Sequence, residues 1–108
     1  RADGEFPALA VHRQAASFYH EGMYQSAIAR LDDLADEAAI FGDLVTQVWA
    51  LADEAWVQGQ SGKKIDMDRT VIRLERLLTS PYLPDDVVKE VMSKRLGEAT
   101  TISSPGGM

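Results

Sequence analysis

Residues 15–31, AASFYHEGMYQSAIARL, constrain the fold more than any other part of this chain. Apolar residues at helical spacing run into Gly22 from one side and restart at Tyr24 on the other. Glycine tolerates the left-handed backbone that ends a helix. Ala15 and Ala27 set a small residue into each helix, which lets the two approach closely. The stretch predicts a helix–turn–helix hairpin.

The rest of the chain repeats this punctuation. Leu9, Val11, Ala15, Ala16, Phe18 and Tyr19 form nearly one face of a helix over residues 8–21. Ala27, Ile28, Leu31, Leu34, Ala35 and Ala38 do the same over 24–39. Gly42 is a good stop and Asp43 a good N-cap for a third helix over 44–58, apolar on most of its circumference and therefore expected between neighbours. Residues 59–64 read as a polar loop. Asp66 or Asp68 caps a fourth helix that ends near Leu78, with Val71, Leu74, Leu77 and Leu78 as its stripe. Pro84 followed by Asp85 and Asp86 starts a fifth helix, which stops at Gly97. No segment alternates with period two, so the expected class is all-α. Residues 1–7 read as an extended lead-in, 8–97 as a single helical domain, and 98–108 as a flexible tail.

Composition removes several function classes. With 108 residues, 45% of them hydrophobic, the chain is long enough for one modest core. Its net charge of −6 and pI near 4.7 argue against nucleic acid, whose binders present a basic face to phosphate. The absence of cysteine excludes disulfides, thiolate metal sites and cysteine nucleophiles. The most apolar uncharged run, residues 44–52, falls far short of the roughly 20 residues of a membrane span. No apolar targeting segment is expected ahead of the fold, and the lack of cysteine fits a cytoplasmic location.

Leu-Ala-Asp-Glu-Ala occurs at residues 34–38 and again at 51–55, an offset of half a tetratricopeptide period, which puts the copies on successive helices and reads as ordinary amphipathic filler. The first hairpin resembles the tetratricopeptide repeat more directly. Val11, Ala15, Phe18, Ala27 and Leu31 take the family's Trp, Gly, Tyr, Ala and Phe places, and Gly22 and Tyr24 fall at its turn. Gln14 and Ala39 depart from the family's Leu and Pro. A looser second copy starts in the third helix with Val48, Leu51, Ala52, Ala55 and Gly59 and resumes after a longer turn with Thr70, Leu74 and Leu77. The resemblance implies two antiparallel hairpins, with the fifth helix capping the last exposed apolar face. The competing reading is an unrelated five-helix bundle with one coincidental hairpin.

The resemblance further implies a groove lined by the first and third helices that holds a peptide or a partner helix. Its groove-facing positions here are Leu9, His12, Arg13, Ala16, Tyr19 and His20 from the first helix, and Thr46, Trp49, Ala50, Asp53 and Trp56 from the third. Tyr, Trp and Arg are the residue types that dominate binding hot spots. Trp49 fits the core as well as it fits the groove. The family's carboxylate clamp uses Lys and Asn, and Arg13 is the one positive residue at these positions.

No catalytic or cofactor pattern competes with this. Glu-x-x-His, needed for a bundle di-iron site, is absent, so no metal or other cofactor is expected. Gln-Ser-Gly-Lys-Lys at residues 60–64 lacks the preceding strand and the correctly spaced upstream glycine of a phosphate loop. No nucleophile elbow occurs. The expected function is a non-catalytic protein–protein interaction module, with a basic partner favoured by Asp32, Asp33, Asp36, Glu37, Asp53 and Glu54. The alternative is an accessory subunit or homo-oligomer that uses an exposed apolar helix face. A pocket joining His20 and Asp53 would favour a small enzyme instead.

Overall fold

The computed structural model describes residues 7–93, the first five of them through their backbone alone. Within this span the chain is all-α: α1 (Pro7–His20), α2 (Tyr24–Phe41), α3 (Leu44–Gln60), α4 (Lys64–Leu78) and α5 (Asp85–Val91), with no strand among the described residues. The connections after α1, α2 and α3 are two or three residues long, so successive helices run antiparallel and pack side by side. α2 packs on α1 and α3, α4 packs on α3, and α5 returns to α3.

Three glycines end three helices by one device. Gly22, Gly42 and Gly62 have φ of 79°, 73° and 80°. The amide after each donates to the carbonyl five residues back: Met23 to Phe18 at 2.8 Å, Asp43 to Ala38 at 2.9 Å and Lys63 to Gln58 at 2.8 Å. Each glycine's own amide bonds three residues back, which completes a Schellman motif. The chain reverses at once because these orphan carbonyls are satisfied within the turn.

This corrects the expected loop over 59–64. α3 runs to Gln60, and the turn is only residues 61–63, the same length as the first hairpin's 21–23. Gly62, not Gly59, occupies the place of Gly22. Gly59 instead lies inside α3 against α4: a Cβ there would sit 2.9 Å from the Sδ of Met67. Re-entry straight after Gly62 also moves the start of α4 ahead of the expected aspartate caps. Lys63 is its N-cap residue without a side-chain bond, and Asp66 falls in the first turn.

Other boundaries follow local chemistry. Pro7 opens α1, one residue earlier than expected, at a position where proline's missing N–H costs nothing. Asp43 caps α3, accepting from the Thr46 amide at 3.2 Å and its hydroxyl at 2.6 Å. Pro84 stands at the N-cap of α5, extended at ψ 141°, with Asp85 and Asp86 in the first turn. The stop expected at Gly97, the tail over 98–108 and the lead-in before Pro7 lie outside the described residues.

Two apolar clusters hold the helices. The larger unites Leu34 and Ala35 of α2, Val48 and Leu51 of α3, Leu74 of α4, and Leu83 and Val91 from the α5 region. The smaller joins Ala15, Ala27, Leu31 and Val57, flanked by Phe18, Tyr19, Tyr24, Ile28 and Trp56. Leu51 and Leu74 are fully buried, each worth roughly 1.5–3 kcal/mol of transfer free energy. α3 serves both clusters, as its nearly all-round apolar character requires. Among the described residues no helix is long and apolar enough to cross a membrane.

Candidate functional site

Where the smaller cluster reaches the surface, α1 and α3 separate over a cleft of about 240 Å³. His12, Ala16, Tyr19 and His20 line it from α1. Their spacing of three or four residues keeps the first three on one helix face. Asp53 and Trp56 line it from α3, and Ala15, Leu31 and Val57 close its base. The small side chains at Ala15 and Ala16 leave the space that the cleft occupies.

The polar feature of the cleft is a bond across it. The Nε2–H of His12 donates to Oδ2 of Asp53, and both side chains are mostly shielded, at 27% and 20% exposure. The apolar feature is an aromatic cluster centred on Tyr19. Its ring lies 5.0 Å from Trp56 at 52°, 5.5 Å from Tyr24 at 42°, and 5.5 Å edge-on to His20 at 68°. Such tilted and edge-on pairs contribute about 0.5–1.5 kcal/mol each beyond their buried area, so the wall is stiff.

Most of the residues nominated from the sequence therefore meet here, but not all. Arg13 is exposed on α1 and does not line the cleft. Trp49 packs against the larger core cluster, and Ala50 is fully buried within it, which removes both from the groove. The cause is rotation: α3 has neighbours on several sides, and residues 49 and 50 turn toward the larger core cluster. Thr46 is committed to its own N-cap. The side chain of Leu9 lies outside the described residues.

His20 and Asp53 do share the cleft, but the bond recorded to Asp53 comes from His12. No serine, threonine, cysteine or lysine is among the described lining residues, so the reactive groups there are Asp53, Tyr19 and the two histidines. No group of three or more metal-ligating side chains occurs among the described residues.

A second polar cluster, which the sequence reading missed, lies between α2, α3 and α4. Glu54 is only 5% exposed. Its Oε2 accepts from Gln58 at 3.5 Å, and the Thr70 hydroxyl donates to Gln58 Oε1 at 2.7 Å. Its Oε1 is sealed from solvent and has no hydrogen-bond donor among the described residues, and the Asp32 carboxyl acts on it both by charge and as a hydrogen-bond partner for the protonated acid. Burial first, then the charge of Asp32, pushes the Glu54 carboxyl up to about 8, against the smaller opposing pull of Arg73. Arg73 also ties α4 to α2, at 3.0 Å from Asp36 and 3.8 Å from Asp32. The signal for this cluster was present in the sequence: a helix enclosed on most sides must bury some of its polar residues too.

No protein-family description, curated protein or solved structure matches this chain.

Proposed function

We propose that this chain is a non-catalytic interaction module of tetratricopeptide-like type that seats a peptide or partner helix in the cleft between α1 and α3. The observation that carries this is convergence. His12, Ala16, Tyr19 and His20 come from one helix and Asp53 and Trp56 from another, and all six line one open cleft. The matched three-residue turns of the two hairpins, each around a left-handed glycine, add support. A shallow, preformed, partly aromatic surface with a few polar groups suits recognition of a protein segment.

Ala16 supplies the test. It is exposed and lines the cleft, so Ala16→Gln fills space without touching the core. Peptides selected from a random displayed library on the unmodified domain should bind Ala16→Gln at least about tenfold more weakly, with thermal midpoint and helical CD unchanged. Selected peptides that bind both forms equally would place recognition elsewhere.

A further inference from the structure

The outward side of α4 carries an apolar seam with charges sorted by sign along it. The inward side is fixed by Thr70, which bonds Gln58 of α3, and by Leu74, which enters the larger core cluster; both are buried. At 3.6 residues per turn, Ile72, midway between them in sequence, projects roughly opposite. Ile72 is 52% exposed, and Ile65, one heptad earlier, is 71% exposed. Seven residues return to the same face within about 20°, so the two isoleucines line up along the helix. Asp68 and Glu75 lie about 40–60° to one side of this seam, and Arg69 and Arg76 about 40–60° to the other. All four are exposed. Lys64 reaches Asp68 along the helix at 3.1 Å, while Arg69, Glu75 and Arg76 have no ion-pair partner among the described residues.

We propose that this face docks a second copy of the chain, the two α4 helices lying side by side and parallel. Charge and symmetry select both the occupant and the orientation. A two-fold axis running along the helices sets each acidic flank against the other copy's basic flank. Arg69 then meets Asp68 of the second copy, Arg76 meets Glu75, and each isoleucine meets its counterpart. A two-fold axis across the helices would instead set arginine against arginine and acid against acid. Flanking charges fix the orientation of paired helices in this way. A two-fold contact needs only one self-complementary patch, which this face supplies. A wholly acidic or wholly basic partner would meet its own sign on one flank. The seam has only two isoleucines per copy, which places the dimer in the weak, concentration-dependent class of small interfaces. No α4 residue lines the cleft between α1 and α3, so this surface is separate from the peptide-binding reading.

Sedimentation equilibrium of the full chain tests this at about 0.15 M salt, which screens the like net charge of −6 beyond roughly 8 Å. The apparent mass should climb from 11.9 kDa toward twice that value as the concentration rises from about 10 μM to about 1 mM. Ile72→Gln should weaken the dimer about tenfold or more with helical CD unchanged. Arg69→Glu with Arg76→Glu, and separately Asp68→Arg with Glu75→Arg, should each abolish self-association, and an equimolar mixture of the two double variants should restore it. The chain has no cysteine, so one introduced thiol reports orientation. Ile65→Cys should form a disulfide-linked dimer at least about tenfold faster than Glu37→Cys on the exposed face of α2, since only parallel helices raise the effective concentration of residue 65 at its counterpart. A mass that stays at the monomer value throughout, or a dimer that none of these variants weakens, removes α4 as the interface. Failure of the mixed double variants to associate overturns the charge pairing, and equal crosslinking at residues 65 and 37 overturns the parallel arrangement. If a double variant unfolds, Ile72→Gln and the crosslinking rates decide.

Discussion

Residues 34–38 of α2 and 51–55 of α3 share the sequence Leu-Ala-Asp-Glu-Ala, and their apolar members behave alike. Leu34, Ala35 and Ala38 are buried, and so are Leu51, Ala52 and Ala55. The acids part company. On α2, Asp36 and Glu37 are exposed, and Asp36 meets Arg73 at a surface pair. On α3, Asp53 faces the cleft beneath His12, and Glu54 is sealed among Asp32, Gln58 and Arg73. The same five letters give a solvated face in one helix and a cleft-lining carboxylate plus a buried acid in the other. The difference lies in the neighbours: α3 packs against α1, α2, α4 and α5, so its acids meet the cleft or a packed helix where those of α2 meet solvent.

The comparison breaks most visibly with pH. The Glu54 carboxyl is pushed up to about 8 in the folded chain, from an ordinary value of 4.5, by its burial and by Asp32. Below 4.5 it is protonated in both states and its contribution is fully present. As pH rises from 4.5 toward 8, the unfolded chain releases the proton while the folded chain holds it, so stability falls; above about 8 the loss is complete. At about 1.4 kcal/mol per pH unit the loss is on the order of 5 kcal/mol. Other carboxylates titrate as well, so the readout is the difference between wild type and Glu54→Gln in denaturant midpoints from pH 4 to 9. The gap should change steeply, whereas Glu37→Gln should track wild type. Parallel curves for wild type and Glu54→Gln would refute the buried acid.

A smaller effect is expected from truncation at pH 5, where Glu54 is neutral. Glu54→Ala abandons Gln58 and Asp32 and leaves a cavity, for a cost of about 1–3 kcal/mol. Glu37→Ala should stay within about 0.5 kcal/mol of wild type. Equal urea midpoints for the two variants would remove the distinction between the helices. The smallest effect contrasts the aspartates. Asp53→Asn weakens a shielded bond between α1 and α3, at about 0.5–1.5 kcal/mol. Asp36→Asn loses an exposed pair, at under about 0.5 kcal/mol. Thermal melts that reverse this order would show that the surface pair matters more than the cleft bond.

Much of the fold was legible because its signals are local. Gly22 and Gly42 ended helices as their conformational freedom predicts, Asp43 capped α3, and the apolar stripes gave the helix count. What failed depended on the partner helix. Residues 59–64 are polar and contain two glycines, so they read as a loop, but only Gly62 takes the left-handed backbone. Gly59 is there for close contact with Met67, a reason visible only once α4 is in place. For the site, the family spacing found the cleft-lining face of α1 almost complete. On α3 the same spacing misassigned Trp49 and Ala50, because a helix apolar on most sides does not declare which side faces which neighbour. Glu54 was hidden among surface acids for the same reason.

The short glycine turns also bear on how quickly this chain reaches its native state. Each of the first four helices finds a main partner next to it in sequence, across a gap of two or three residues. Little loop entropy is lost before a contact returns free energy, so the search proceeds by local zippering from hairpin to hairpin. Such a topology belongs with the microsecond-to-millisecond folders.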